Sequence, residues 1–209
     1  MYNVGISTKE VCYMNIEKTI KNLEKRGFKV SFHQSGSEAA EYLRTNIKNT
    51  TVGIGGSVTA AQLGLYELLS ESNTVYSHSR VSGNDTVAKA NSAEVYISSA
   101  NAISEDGEIL NIDGRGNRLA AQVYGDKRLY IVAGVNKICP DFPTALERAR
   151  NQAAPPNCER LKRNTPCRAD GKCHDCHSAE RICNALLVHW APMLGMDTEV
   201  VLINEALGY

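Results

Sequence analysis

The segment Leu129-Tyr-Ile-Val-Ala133 is almost continuously apolar, the pattern of a short strand covered on both faces. Such a strand belongs inside a sheet with helices on either side, and the chain around it alternates strand-like and helix-like stretches. Ile16, Ile20 and Leu23 recur with helical spacing over residues 15–26, and Gly27 follows as a stop signal. Phe28, Val30 and Phe32 alternate as in a strand, and Ser37 is placed to cap a helix carrying Ala39, Leu43 and Ile47. A strand over 52–54 runs into Gly55-Gly56-Ser57, and Val58, Ala61, Leu65 and Leu68 mark the next helix. Further strands are expected over 75–76, 94–98, 185–188 and 199–203. Helices are expected over 85–93 and over 141–151, the latter with Leu146 and Ala149 inward. This order predicts an α/β fold, an open, mostly parallel sheet with helices on both faces. Residues 1–153 form its core, 154–183 a cysteine-rich, metal-binding loop, and 184–209 the closing strands of the same domain.

A chain of 209 residues suffices for one such domain. Its 23 Lys and Arg cancel its 23 Asp and Glu, which removes any general pull toward nucleic acid or an anionic membrane surface. Neither is an expected partner. The first ten residues lack the apolar core of a signal peptide, and no run approaches the roughly 18 apolar residues of a membrane helix. A cytoplasmic protein is therefore expected, and a homo-oligomer is left open.

Three stretches carry chemistry. The string Thr51-Val-Gly-Ile-Gly-Gly-Ser-Val-Thr59 passes from strand through a glycine-rich turn into a helix, and such a turn brings backbone N–H groups to one spot where an anion can bind. It is neither a Walker loop nor a complete Rossmann fingerprint, and a plain tight turn is the competing reading. Residues 101–118 are polar and turn-dense, with Asp106-Gly107 and Asp113-Gly114 as turn signals. Their Asp106 and Asp113 are candidate general bases, although Asp before Gly more often serves the turn itself. His78 is a further candidate base. Third, Cys167, Cys173, Cys176 and Cys183 supply four thiolates in 17 residues, with Arg163, Arg168, Lys172 and Arg181 available to offset their charge. That set suits a [4Fe–4S] cluster or a tetrahedral zinc, and a single Cys-x2-Cys knuckle favours the cluster. Reduced thiols without metal remain an alternative, and Cys12 and Cys139 read as ordinary buried thiols.

Taken together, Gly53-Ile-Gly-Gly-Ser57, the stretch from Ser99-Ala-Asn-Ala-Ile103 to Asn111-Ile-Asp-Gly-Arg-Gly-Asn-Arg118, and Ile131-Val-Ala-Gly-Val-Asn-Lys137 resemble the lactate-utilisation (LUD) family. The cysteine-rich tail ending Arg181-Ile-Cys-Asn184 is similar to that of a short branch of it. The resemblance implies a fold similar to the ribose-phosphate isomerase and CoA-transferase group. It also implies work alongside iron–sulfur partner proteins in oxidising lactate to pyruvate. Carried over by position, Gly55, Gly56 and Ser57 would line the ligand pocket, with Asn101, Asp106, Asp113, Asn117 and Lys137 nearby. Many lactate-operon members lack the cysteine tail, so its presence here sets this chain apart from their specific role.

The leading expectation is a cytoplasmic, redox-linked protein that binds a small anionic metabolite and carries an iron–sulfur cluster serving an electron-transfer partner. The alternatives are a non-redox isomerase or CoA-transferase-type enzyme with a structural zinc, and a metabolite-binding module without turnover.

Overall fold

The computed structural model describes residues 15–209. The readings of Cys12 and of the first ten residues lie outside them. Six strands, β1 (Lys29–His33), β2 (Thr51–Ile54), β3 (Thr74–Ser77), β4 (Val95–Ser98), β7 (Arg128–Gly134) and β10 (Asp197–Ile203), form a sheet in the order β1-β10-β7-β4-β2-β3. Every pair in it is parallel. The fold is α/β, with a mostly parallel sheet flanked by helices.

The apolar run that anchors the sequence reading is β7, and its two faces explain the pattern. Tyr130 and Val132 pack into one core with Leu43, Ile47, Leu65 and Leu69. Leu129, Ile131 and Ala133 pack into the opposite core with Leu23, Phe28 and Ala121. Burying such a side chain contributes about 1.5–3 kcal/mol, so a polar residue at any of these positions is disfavoured on either face. Gly53 in β2 answers a different constraint. A Cβ there would sit 2.1 Å from the carbonyl oxygen of Ala90, so only glycine lets helix α5 (Asn84–Asn91) lie this close to the sheet.

A second, smaller sheet has the order β8-β5-β6-β9, built from β5 (Ala102–Ser104), β6 (Ile109–Asp113), β8 (Ile138–Cys139) and β9 (Ala185–His189). The expected polar hairpin is its centre, with β5 and β6 antiparallel. A buried polar chain ties it to the large sheet: Asn111 Nδ2 donates to Gln122 Oε1, and Gln122 Nε2 donates to Ser98 Oγ. The two segments expected to close the chain part company, because β9 pairs with β6 while β10 inserts between β1 and β7.

Local chemistry corrects several boundaries. Helix α2 (Gly36–Asn46) is capped by Ser35, whose hydroxyl accepts from the Glu38 N–H; Ser37 already lies inside the helix. The helix expected through residues 58–68 breaks at Gly64, which sits at φ +62, leaving α3 (Val58–Gln62) and α4 (Leu65–Ser70). The buried positions there are Thr59, Ala60, Leu65 and Leu69 instead of Ala61 and Leu68. Helix α7 (Phe142–Arg148), capped by Asp141, runs through a π-helical turn, Ala149–Ala153, into α8 (Ala154–Arg160). Residues 154–183 are thus not wholly loop, because Pro155 and Pro156 open α8 and Pro166 opens α9 (Pro166–Asp170). Pro166 follows the extended Thr165, so it gives up only an N–H that would have had no helical partner. Among the described residues no helix is long and apolar enough to cross a membrane.

Candidate anion-binding cleft

The C-terminal ends of three neighbouring strands, β2, β4 and β7, converge on a cleft of about 500 Å³. Ligands in open α/β sheets are held at this edge. After β2 come Gly56, Ser57 and Thr59; after β4 come Ser99 and Asn101; after β7 comes Lys137. The tail closes the far side with Arg160, Arg163 and Arg181, and helix α6 (Asn117–Val123) contributes Asn117 and Arg118. Five arginines and Lys137 thus face two carboxylates, Asp113 and Glu180.

Lys137 is only 3% exposed. Its Nζ donates to Thr59 Oγ1 at 2.9 Å and to Ser99 Oγ at 2.8 Å, and no carboxylate pairs with it among the described residues. Burial, reinforced by the positive charges of Arg148 and Arg118, pulls its pKa down to about 7. Burial, then Arg115 and Arg118, lower the pKa of half-buried His78, which also lines the cleft. Both shifts come first from burial, and the neighbouring arginines add to it.

Asp113 lies in the cleft wall with both carboxylate oxygens engaged. Its Oδ1 accepts from the N–H groups of Arg115 and Gly116, and its Oδ2 accepts from Arg118 Nε at 2.7 Å. It builds the turn and fixes the arginine, which is the structural alternative to a general base. Asp106 is not in the cleft at all. It sits at the hairpin tip beside Lys18, at 3.2 Å, because the 105–108 turn points away from the strand ends. Gly55 lies beneath the lining residues, its N–H donating to Ile97 O, and a Cβ there would meet the Tyr96 hydroxyl at 2.7 Å. Gly56 and Ser57 do line the cleft, and the Ser57 hydroxyl caps α3 by accepting from the Ala60 N–H. Asn101 uses Oδ1 to accept from the Ile112 N–H, which orients its side chain in the cleft wall.

The tail thiols are dispersed. Cys173 accepts from Arg150 Nη2 at 3.4 Å, and Arg181 donates to the Cys176 and Cys183 carbonyl oxygens. Cys167 meets the Thr165 hydroxyl at 3.4 Å and the thiol of buried Cys158. Burial first, then Cys167 and Cys183, push the Cys158 thiol up to about 11. The donor chemistry of Cys167, Cys173, Cys176 and Cys183 suits a thiolate-bound metal. Their arrangement does not yet gather it, since among the described residues no group of three or more His, Cys, Asp or Glu side chains could hold a metal ion.

A family model described as the LUD domain matches residues 16–203, nearly the whole chain. The chain belongs to the LUD-domain family. The LUD chain also matches a crystal structure of a DUF162 family protein from Deinococcus radiodurans, with a TM-score of 0.53 and 10% identity over 90% of this chain and 95% of that one. At that identity the likeness speaks for the fold alone. A partial likeness to eIF2B beta from Chaetomium thermophilum, with a TM-score of 0.39 and 18% identity over 53% of this chain and 45% of that one, is too loose to carry an argument. No curated protein matches the chain.

Sequence reasoning on the LUD chain missed Thr59 and Ser99, the two hydroxyls that hold Lys137. It placed Arg163 and Arg181 around the cysteines; Arg181 does bond the Cys176 and Cys183 carbonyls, and both arginines also line the cleft. No local signal marks such residues, because they meet only when β2, β4, β7 and the tail are assembled. Cys158 carried a signal, membership of the same cysteine-dense stretch, without the spacing of a knuckle.

Proposed function

We propose that this LUD-family protein binds a small anionic metabolite of the lactate type, a 2-hydroxy or 2-oxo acid, in the cleft at the ends of β2, β4 and β7. The observation that carries the reading is the excess of cations there. Arg160 and Arg163 have no carboxylate partner among the described residues, so a bound anion would supply charge compensation that the fold leaves open. Gly56 lets a ligand approach the backbone, and Asn101, Asn117 and Ser57 offer hydrogen bonds that orient it. The setting we propose is cytoplasmic and linked to redox metabolism. There an iron–sulfur protein would serve as electron partner, and Cys167, Cys173, Cys176 and Cys183 would hold a [4Fe–4S] cluster that supplies one-electron transfer when bound.

Calorimetric titration with lactate, pyruvate and a sugar phosphate tests the cleft. Binding of at least one acid with a stoichiometry of one is expected, lost in Gly56→Asp, whose carboxylate would enter beside His78 and repel the anion. Unchanged affinity in that variant would remove the turn from the site. For the tail, iron, sulfide and zinc are measured after anaerobic purification. Iron and sulfide that disappear in Cys173→Ser/Cys176→Ser support the cluster. One zinc without colour transfers the tail to a structural role and favours the isomerase or transferase alternative.

A further inference from the structure

We propose that Lys137 forms a Schiff base with the carbonyl of a small anionic aldehyde or ketone held in the cleft. The inference rests on the anion-binding reading above and narrows its ligand to a carbonyl compound.

The geometry points there in three ways. Lys137 sits on the cleft floor directly after the central strand β7, where ligand atoms are expected to lie. Its amine is held by two neutral hydroxyls, Thr59 and Ser99, from the adjacent strand ends, and by no carboxylate. In the neutral form its two N–H bonds are used by these hydroxyls and its lone pair is left over, which is the arrangement a nucleophilic amine requires. Arg118 and Arg148 surround it, so the folded protein disfavours charge on that nitrogen while favouring an acidic group on a neighbouring ligand. A purely structural role is a poor account of this residue, because burying an amine without an anion costs free energy that methionine would not. Gly208 extends the argument: a Cβ on it would lie 3.2 Å from Nζ and 2.5 Å from Thr59 Oγ1, so the chain passes the amine with no side chain filling the space.

The step balances without an oxidant or reductant. The Nζ lone pair adds to the carbonyl carbon, one nitrogen proton moves to the carbonyl oxygen by way of the Thr59 and Ser99 hydroxyls, and the second nitrogen proton passes to the resulting hydroxyl, which leaves as water as the C=N bond forms. Amine plus carbonyl gives imine plus water. The acidic group of the ligand lies against the arginines, and its carbonyl lies against Lys137.

The test traps the imine in the full chain at pH 7 with sodium cyanoborohydride. Pyruvate serves as the 2-oxo acid, dihydroxyacetone phosphate as the phosphorylated ketone, and lactate as the control without a carbonyl. Intact mass and peptide mapping read the product. A single adduct on Lys137 with one of the two carbonyl compounds and none with lactate is expected. Its yield should exceed that at any surface lysine by at least about tenfold, since exposed amines are almost wholly charged at this pH. Which compound reacts identifies carboxylate or phosphate as the acidic group. Lys137→Arg should abolish the adduct, and mapping of the unsubstituted chain gives the answer even where that variant folds poorly. Calorimetric binding of a carbonyl compound without any adduct overturns the Schiff base and leaves the anion reading intact. An adduct spread over surface lysines, unchanged in Lys137→Arg, also overturns it. Absence of both binding and adduct overturns both.

Discussion

Arg118→Met is expected to lose about 3–5 kcal/mol of stability in urea unfolding and to abolish anion binding in the same protein. Arg118 is the residue on which the cleft wall depends. Its Nε donates to Asp113 Oδ2 at 2.7 Å, and its Nη2 donates to the Ile112 carbonyl at 2.6 Å. The side chains of the pair are only 16% and 6% exposed, so removing the guanidinium leaves a poorly hydrated carboxylate without its partner. Asp113 then still accepts from the Arg115 and Gly116 N–H groups, but the turn that presents Arg115 and Asn117 to the cleft loosens. A loss below about 1 kcal/mol would show the pair to behave as an exposed one and would return Asp113 to the list of candidate bases.

A second large effect concerns pH. The folded-state pKa of Lys137 lies near 7, below its unfolded value near 10.5. Between these values the unfolded chain holds the proton and the folded chain does not, so unfolding takes up a proton and stability rises with pH. Below about 7 both states hold the proton, and this group contributes no slope. The rise approaches about 1.4 kcal/mol per pH unit for one fully linked proton. Cys158 acts in the opposite sense above its unfolded value of about 9, because its folded pKa is raised to about 11. The window that isolates Lys137 is therefore about pH 7–8.5. Denaturant unfolding across it should give a rising stability in the wild-type chain and a flat one in Lys137→Met. Parallel curves for the two proteins would mean that the amine stays charged in the fold.

Much of the fold is legible in the sequence because its strongest signals are one-dimensional. The run at residues 129–133 is apolar on both faces because β7 lies between two cores, and Gly27, Gly55 and Gly56 mark real chain breaks. Where local rules compete, the reading slips. Ser35 and Ser37 both satisfy the requirements of a cap, and only the backbone geometry selects Ser35. Pro155 and Pro156 read as loop formers although they open a helix. The site is half legible for the same reason. Gly56, Ser57, Asn101, Asn117 and Lys137 follow strand ends and line the cleft, whereas Asp106 and Asp113 look alike in sequence and separate only in space, one at the hairpin tip and one at its base. Thr59 and Ser99 have no local mark, since their partner Lys137 is far away in the chain.

The central claim is that an anion occupies the cleft between Lys137 and the arginine wall, and the most direct measurement is a crystal structure grown with a saturating acid such as pyruvate. The account predicts ligand density within hydrogen-bonding distance of Arg118 or Arg163 and against Lys137, with Asp113 still bound to Arg118. Ligand density elsewhere on the protein, with this cleft holding only water at saturation, would contradict it.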